Sequence, residues 1–331
     1  MVYLFERMFL LHGDAKYIDC LERTLYNGVI SGMSVDGGKF FYPNPLSSDG
    51  HYRFNADGTL TRQPWFGCAC CPSNLCRFIP SMPGYIYGVR NNNLYVNLFA
   101  ANTATIAVGG KIVTLEQTTE YPWDGDIAIK VLQNKAKAFN MLIRIPGWVQ
   151  SRVVPSDLYA YNDDIFSTYE ITVNGQRVDG ELENGYMVIN RQWKKGDVVR
   201  IHFDMPVRTV LASPRVTDDR GRVAVERGPL VYCAEWADNE GINPHHLLLG
   251  KVQGGKWKVE GDYAFENKQG DGKAFTVTAI TVQAQEASIT PEGRLETKDV
   301  NATLIPYYAW NHRGAGRMDV WLARSLSGLE D

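Results

Sequence analysis

Apolar residues change their spacing along this chain. In "MVYLFERMFLLHGD", at the start of the sequence, they fall on nearly every side of a helical wheel, which predicts a helix buried among other helices. Asp14 stands where it can cap a second helix, in which Tyr17, Leu21 and Leu25 recur at four-residue spacing. That helix is expected to end near Gly28 or Gly32. "DGGKFFYPNPLSSDG" mixes turn formers with aromatics and predicts a long structured loop or hairpin. "PSNLCRFIPSMPG" predicts a short helix, with Pro72 tolerated in its first turn and a stop at Pro83-Gly84.

From Tyr85 onward the period shortens. "NLYVNLFA", "TATIAV", "KIVTLEQTT", "DIAIKVL" and "FNMLIRI" are short, rich in β-branched residues and often alternating, which predicts strands. Asn174-Gly175 marks a tight hairpin, and Lys194-Lys195-Gly196-Asp197 another turn. This spacing predicts a β-sandwich, and a second strand-rich stretch runs from about Arg208 to the end. The polar, glycine-rich segment 236–275 carries no assignment. Two or three helices cannot cover all their own apolar faces, so the helical piece reads as the end of something larger.

At 331 residues the chain is too long for one ordinary core, and two or three domains are expected. A net charge of −3 argues against nucleic acid or an anionic membrane as the main partner. No apolar run approaches the ~18 residues that span a bilayer. Glu6 and Arg7 interrupt the first apolar stretch, so it does not read as a signal peptide. Cytoplasm and periplasm both stay open as locations.

Cysteine changes the picture most. Four of the six cysteines, Cys68, Cys70, Cys71 and Cys76, lie in "WFGCACCPSNLC", whereas Cys20 and Cys233 stand alone. A disulfide framework would spread them; clustering suggests a metal or a reactive thiol. Thiolate is both the good nucleophile and the good zinc ligand. In a bend leading into a helix, adjacent sulfurs can face one ion close to the positive helix end. The C-x-C-C-x4-C spacing does not fit a zinc ribbon, so some ligands would have to come from elsewhere. Inert packed thiols and a strained Cys70–Cys71 disulfide remain alternatives. The six histidines form no metal pattern and read as surface or internally satisfied groups. Trp65, Trp123 and Trp148 are either sugar platforms or core.

"FFYPNPL", "WFGCACCPSN", "YPWDG", "IPGW", "RGRVAVERGPLVYCAE" and "IPYYAWNHRGAGRMDVW", in this order, resemble the β-L-arabinofuranosidase family of glycoside hydrolases, family 127 and its close relative family 146. The resemblance implies a mixed, mainly β fold. Residues 1–88 would be the end of an (α/α)6 catalytic barrel carrying the cysteine cluster. A first β-sandwich would follow over 89–205 and a second over 206–331. It implies a retaining exo-glycosidase acting on β-L-arabinofuranosides or a related sugar of plant glycans, with a cysteine thiolate nucleophile that is also a ligand of zinc. By motif position, Cys70 matches the nucleophile and ligand, and Cys71 a second zinc ligand. Cys68 falls on a position without an assigned role. Glu22, in "CLERTLYNG", and Tyr42 match sugar-contacting residues. Without the resemblance, Glu22 would read as a solvated helix carboxylate and Tyr42 as a packed loop aromatic.

The resemblance also implies that the other two zinc ligands and the acid/base glutamate lie upstream of the position matching Met1. The 331 residues alone are therefore expected not to complete the zinc site and to be inactive or nearly so. An upstream segment or a homo-oligomer is the open partner question, beside an oligosaccharide or glycan substrate. The competing reading is a non-catalytic β-sandwich module that binds carbohydrate or mediates assembly, with a relic cysteine site.

Overall fold

The structure, a computed structural model, describes residues 1–136, 138–250, 257–290 and 292–329. It is mainly β with a minority of helix and divides into two compact units. The first comprises Met1–Thr24, Ile79–Pro155 and Ile165–Pro206; the second comprises Leu25–Phe78, Ser156–Asp164 and Val207–Asp331.

In the first unit, helix α1 (Val2–His12) closes on Gly13, whose left-handed φ of 68° lets its N–H reach the Phe9 carbonyl. The all-round burial expected for α1 is not met. Val2 and Phe9 are buried, Phe9 edge-on against Tyr95, while Leu4, Leu10 and Leu11 stay exposed. Helix α2 (Ala15–Thr24) begins as predicted, with the Asp14 carboxylate accepting from the Lys16 N–H at 3.0 Å. Its buried stripe runs through Ala15, Ile18, Leu21 and Glu22, and Tyr17 is only half-buried. In the chain, a π turn over Leu25–Val29 and a 3₁₀ turn over Ile30–Gly32, both counted in the second unit, continue to the second expected stop.

Two sheets complete this unit. Six antiparallel strands run in the order Gln176–Arg177, Tyr169–Val173, Val198–Phe203, Asp126–Asn134, Lys111–Thr119, Asn102–Val108. Their alternation is clean: Val113, Leu115, Ile127, Ile129, Val131, Ile171, Val173, Val199 and Ile201 are buried, with Thr114, Ala128, Lys130, Thr172 and Arg200 between them. The expected hairpin is present, with Asn174 and Gly175 both at positive φ (52° and 79°) between paired Val173 and Gln176. The second sheet orders five strands as Leu182–Glu183, Tyr186–Gln192, Ala138–Arg144, Asn93–Val96, Tyr87–Arg90. Ala138–Arg144 is central, pairs parallel with Asn93–Val96, and is buried from Met141 to Arg144. A strand covered on both faces reads as a continuous apolar run, and Arg144 is the charged residue within it.

The second unit is built on an eleven-stranded sheet whose centre joins Leu230–Glu235, Leu295–Pro306 and Ala274–Ile289 in antiparallel register. Val223, Val225, Tyr232, Leu247, Ile280, Val282, Leu304 and Leu322 form its core. Segment 236–275, left unassigned from sequence, contains the strand Trp257–Glu266 paired with Ala274–Ile289, its register shifting between Glu260 and Tyr263. Residues 251–256 of that segment lie outside the described residues.

His312 sits in this unit fully buried, as a satisfied histidine. Nδ1 bonds the Ala309 carbonyl at 2.8 Å, and Nε2 accepts from the Val35 N–H at 3.1 Å, so the ring is neutral. Burial, reinforced by Arg62, holds its pKa down at about 3. A depressed folded pKa means that the unfolded chain takes up the proton first as pH falls below ~6.5. Stability present above that pH is then lost on acidification, by about 3 kcal/mol at pH 4. Denaturant titrations from pH 7.5 to 4 should show that extra loss relative to His312→Gln; parallel profiles would contradict it.

Candidate active site

The aromatic loop and the cysteine segment both belong to the second unit. Isolated bridges pair Phe40 with Met33 and with Gln63, so the expected loop is structured rather than a plain hairpin. Phe41 stacks on Trp310 at 5.3 Å and lies under the buried Arg62 guanidinium, 4.2 Å from the ring. Arg62 in turn donates to the carbonyls of Trp310 and Ser31 at 2.8 and 2.9 Å. One residue on, the Tyr42 N–H donates to Asn55 Oδ1 at 2.8 Å, and the Tyr42 ring meets Phe66 edge-on. These contacts fix where the tyrosine hydroxyl points.

It points at sulfur. Tyr42 Oη lies 3.1 Å from Cys70 Sγ. Cys70 is the first residue of helix α3 (Cys70–Phe78), with Pro72 inside its first turn, and the helix passes into a 3₁₀ turn over Ile79–Tyr85. Cys68 Sγ and Cys71 Sγ each lie 3.9 Å from Cys70 Sγ, and the Cys71 thiol donates to the Tyr42 carbonyl at 3.7 Å. All six cysteines are free thiols, so the Cys70–Cys71 disulfide alternative is not what the structure holds.

The sulfurs are not equivalent. The Tyr42 hydroxyl, seconded by Cys68, Cys71 and the Cys71 N–H at the helix start, lowers the Cys70 pKa and so favours its thiolate. Tyr42 itself is raised for the reciprocal reason: its proton is held against the sulfur. Cys71 is pushed up to about 11 by partial burial and by its neighbour Cys70. The arrangement presents one exposed, hydrogen-bonded sulfur as nucleophile or ligand, with a second beside it. Among the described residues, no group of three or more His, Cys, Asp or Glu is placed to hold a metal ion.

Glu22 belongs to the first unit and is not the solvated carboxylate that spacing alone suggests. It is 2% exposed and pairs with Arg144, which is fully buried. Arg144 Nη1 also meets Asp19 at 2.8 Å, its Nε donates to the Asn97 carbonyl at 2.6 Å, and Tyr121 Oη donates to Glu22 Oε1 at 2.9 Å. Burial raises the pKa of Glu22 and of Asp19, and Arg144 opposes that rise in both. Arg144, Tyr121 and Asp19 received no role from sequence. The signal was present: an arginine inside the apolar strand "FNMLIRI" must have a buried counter-charge.

Of the candidate platforms, Trp148 is core, packed on Phe203, whereas Trp65 and Trp123 are exposed. Cys76 is exposed on α3, and Cys20 and Cys233 lie in α2 and in a core strand. His202 is exposed between Asp126 and Asp204, and His245 pairs with Asp319.

Three family profiles match in succession: the GH127 β-L-arabinofuranosidase catalytic domain over residues 1–84, the GH127 middle domain over 93–205, and the GH127 C-terminal domain over 207–323. A non-reducing end β-L-arabinofuranosidase of Bifidobacterium longum subsp. longum is 35% identical across 96% of this chain and 47% of its own length. A solved GH127 β-arabinofuranosidase is 53% identical with a TM-score of 0.90, covering 99% of this chain and 49% of that one. A GH127 β-L-arabinofuranosidase from Geobacillus stearothermophilus T6 is 36% identical with a TM-score of 0.80, covering 97% and 48%. The chain thus spans about half the length of the relatives it matches. With consecutive catalytic, middle and C-terminal profiles accounting for nearly all of its residues, it belongs to the GH127 β-L-arabinofuranosidase family of glycoside hydrolases.

Proposed function

We propose that these residues are the C-terminal part of a retaining exo-glycosidase acting on β-L-arabinofuranosides or a related plant-glycan sugar. Cys70 is its nucleophile and Cys71 its neighbouring zinc ligand. In this reading residues 1–88 close an (α/α)6 barrel, whose other helices cover Leu4, Leu10 and Leu11, and 89–205 and 206–331 are β-sandwich domains. The observation that carries the reading is the Tyr42 hydroxyl aimed at Cys70 at the start of α3, with Cys71 Sγ 3.9 Å away.

That separation suits zinc. Two sulfurs at ~2.3 Å from a tetrahedral ion stand about 3.8 Å apart. Cys70 and Cys71 supply one edge of such a site, and the remaining ligands come from outside the described residues. Bound there, zinc would keep the thiol ionised near neutral pH and make sulfur a better leaving group.

The protein's own groups account for the rest. Cys70 sulfur attacks the anomeric carbon, forming a carbon–sulfur bond as the glycosidic bond breaks. The departing oxygen takes a proton from an acid outside these residues. Water then gives a proton to the conjugate base of that acid as it attacks the same carbon from the other side, and the sulfur leaves as thiolate; two inversions give retention. Tyr42 donates to the thiolate and orients it, and its ring contacts sugar; Glu22 is read separately as an acceptor for a sugar hydroxyl.

Zinc stoichiometry and alkylation test this. A version carrying the upstream half found in the relatives should bind one zinc per chain and lose hydrolysis of p-nitrophenyl β-L-arabinofuranoside when Cys70 is alkylated. The 331 residues alone should bind zinc weakly and turn nothing over. If the longer form holds no zinc and ignores alkylation, the non-catalytic carbohydrate-binding module is the correct reading. Appreciable turnover by the 331-residue chain would refute the shared site.

A further inference from the structure

The motifs "YPWDG" and "IPGW" have no place in the chemistry above, yet their residues join one hydrogen-bonded chain that ends on Glu22. Tyr121 comes from the first and Trp148 from the second, with Arg144 just ahead of it in "LIRIPGW". Trp148 Nε1 lies 3.4 Å from Tyr121 Oη, Tyr121 Oη donates to Glu22 Oε1 at 2.9 Å, and Arg144 Nη2 donates to the same oxygen. Among the described residues, the Tyr121 and Arg144 hydrogen bonds to the Glu22 carboxylate both end on Oε1, which leaves Oε2 for a ligand.

Arg144 is fixed independently of Glu22. Its Nε and Nη1 are taken by the Asn97 carbonyl and by Asp19, and the guanidinium lies 5.6 Å from the Phe99 ring. Tyr121 is held edge-on to Phe99 as well as by Trp148. Glu22 sits on α2, within the stretch that matches the catalytic profile. The groups that hold it come from the stretch matching the middle profile, and all lie in one compact unit.

We propose that Arg144 and Tyr121 are positioning residues for substrate recognition: the middle region clamps one carboxylate oxygen of Glu22 so that the other is aimed at a sugar hydroxyl. The inference rests on the reading of Glu22 as a sugar-binding residue. A flexible glutamate would pay rotamer entropy at each binding event; a clamped one has lost that freedom on folding. The region matching the middle profile then contributes to specificity without touching the sugar.

The test uses the version carrying the upstream half, with kcat and KM measured on p-nitrophenyl β-L-arabinofuranoside and on analogues each lacking one ring hydroxyl. Glu22→Gln first identifies the hydroxyl that Glu22 holds, as the one whose removal makes the enzyme indifferent to that substitution. Tyr121→Phe is then expected to lower kcat/KM about threefold to tenfold on the parent sugar, mostly through KM. It should leave the analogue without that hydroxyl nearly unchanged. Arg144→Lys, which keeps the charge and loses the fork, should show the same selectivity. Equal losses on every sugar, or a lower Tm with unchanged kinetics, would reduce the clamp to a fold-stabilising network and overturn the inference. If Glu22→Gln is itself blind to all the hydroxyls, the reading of Glu22 fails and the clamp with it. If Arg144→Lys does not fold, Tyr121→Phe decides alone.

Discussion

Cys70→Ser is expected to lower glycoside hydrolysis by at least about a thousandfold in the version carrying the upstream half, with the fold intact. The side chain is exposed at the first position of α3, and its contacts are Tyr42 and two thiols rather than core, so the exchange removes no packing. What changes is the electron pair. A thiol titrates near 8.5 and becomes a thiolate with help from a hydroxyl donor, a helix start or a metal. A serine hydroxyl in the same place stays protonated and is a poor ligand for zinc. Tyr42→Phe should act in the same direction but less, by about tenfold, because it deletes one hydrogen bond to the sulfur and leaves the sulfur itself. Steady-state kinetics beside circular dichroism would separate loss of chemistry from loss of fold.

The largest effect on stability should follow from Arg144→Met. The substitution leaves Asp19 and Glu22 without their cation, and breaking a buried ion pair on one side costs about 3–5 kcal/mol. Against a domain stability of about 5–15 kcal/mol that is a large fraction. The pH dependence gives the effect a signature. Burial already holds both carboxylates above their usual values against the pull of Arg144, and without the guanidinium they rise further. The folded variant then binds more protons than the unfolded chain, and the penalty, full at neutral pH, is relieved as pH falls. The gap between wild type and variant should therefore narrow from pH 7 to 5. Adding Asp19→Asn and Glu22→Gln should recover much of the loss at pH 7. A constant gap, or no recovery, would mean that Arg144 matters through packing alone.

Much of the first unit was legible because its signals are local. Strand alternation, the Asn174-Gly175 hairpin and the Asp14 helix start each depend on a few neighbouring residues and appear where expected. The strand Trp257–Glu266 was missed because an irregular register breaks its alternation between Glu260 and Tyr263. Helix α1 was expected to be buried on all sides, since periodicity reports which faces are apolar and not what lies against them.

The candidate site divides in the same way. The cysteine cluster was visible as composition, and the structure adds that Tyr42, predicted to touch sugar, has its hydroxyl on Cys70. Glu22 was visible only through resemblance. Its partners Arg144 and Tyr121 stand 122 and 99 positions away, a separation that no local pattern encodes. An arginine inside an apolar strand announces that a buried anion exists but does not say which one.

The central claim is that the sulfur of Cys70 forms a bond to the anomeric carbon, and trapping that bond tests it most directly. A 2-deoxy-2-fluoro-β-L-arabinofuranosyl fluoride slows both steps by destabilising the cationic transition state while keeping a good leaving group. Incubated with the version carrying the upstream half, quenched in acid and analysed by peptide mass spectrometry, it should leave one fluoroarabinosyl group on the peptide containing Cys70. The adduct should be absent in Cys70→Ser and in protein alkylated beforehand. A sugar adduct on an aspartate or glutamate, or hydrolysis that proceeds with inversion and leaves no adduct on any residue, would contradict the account.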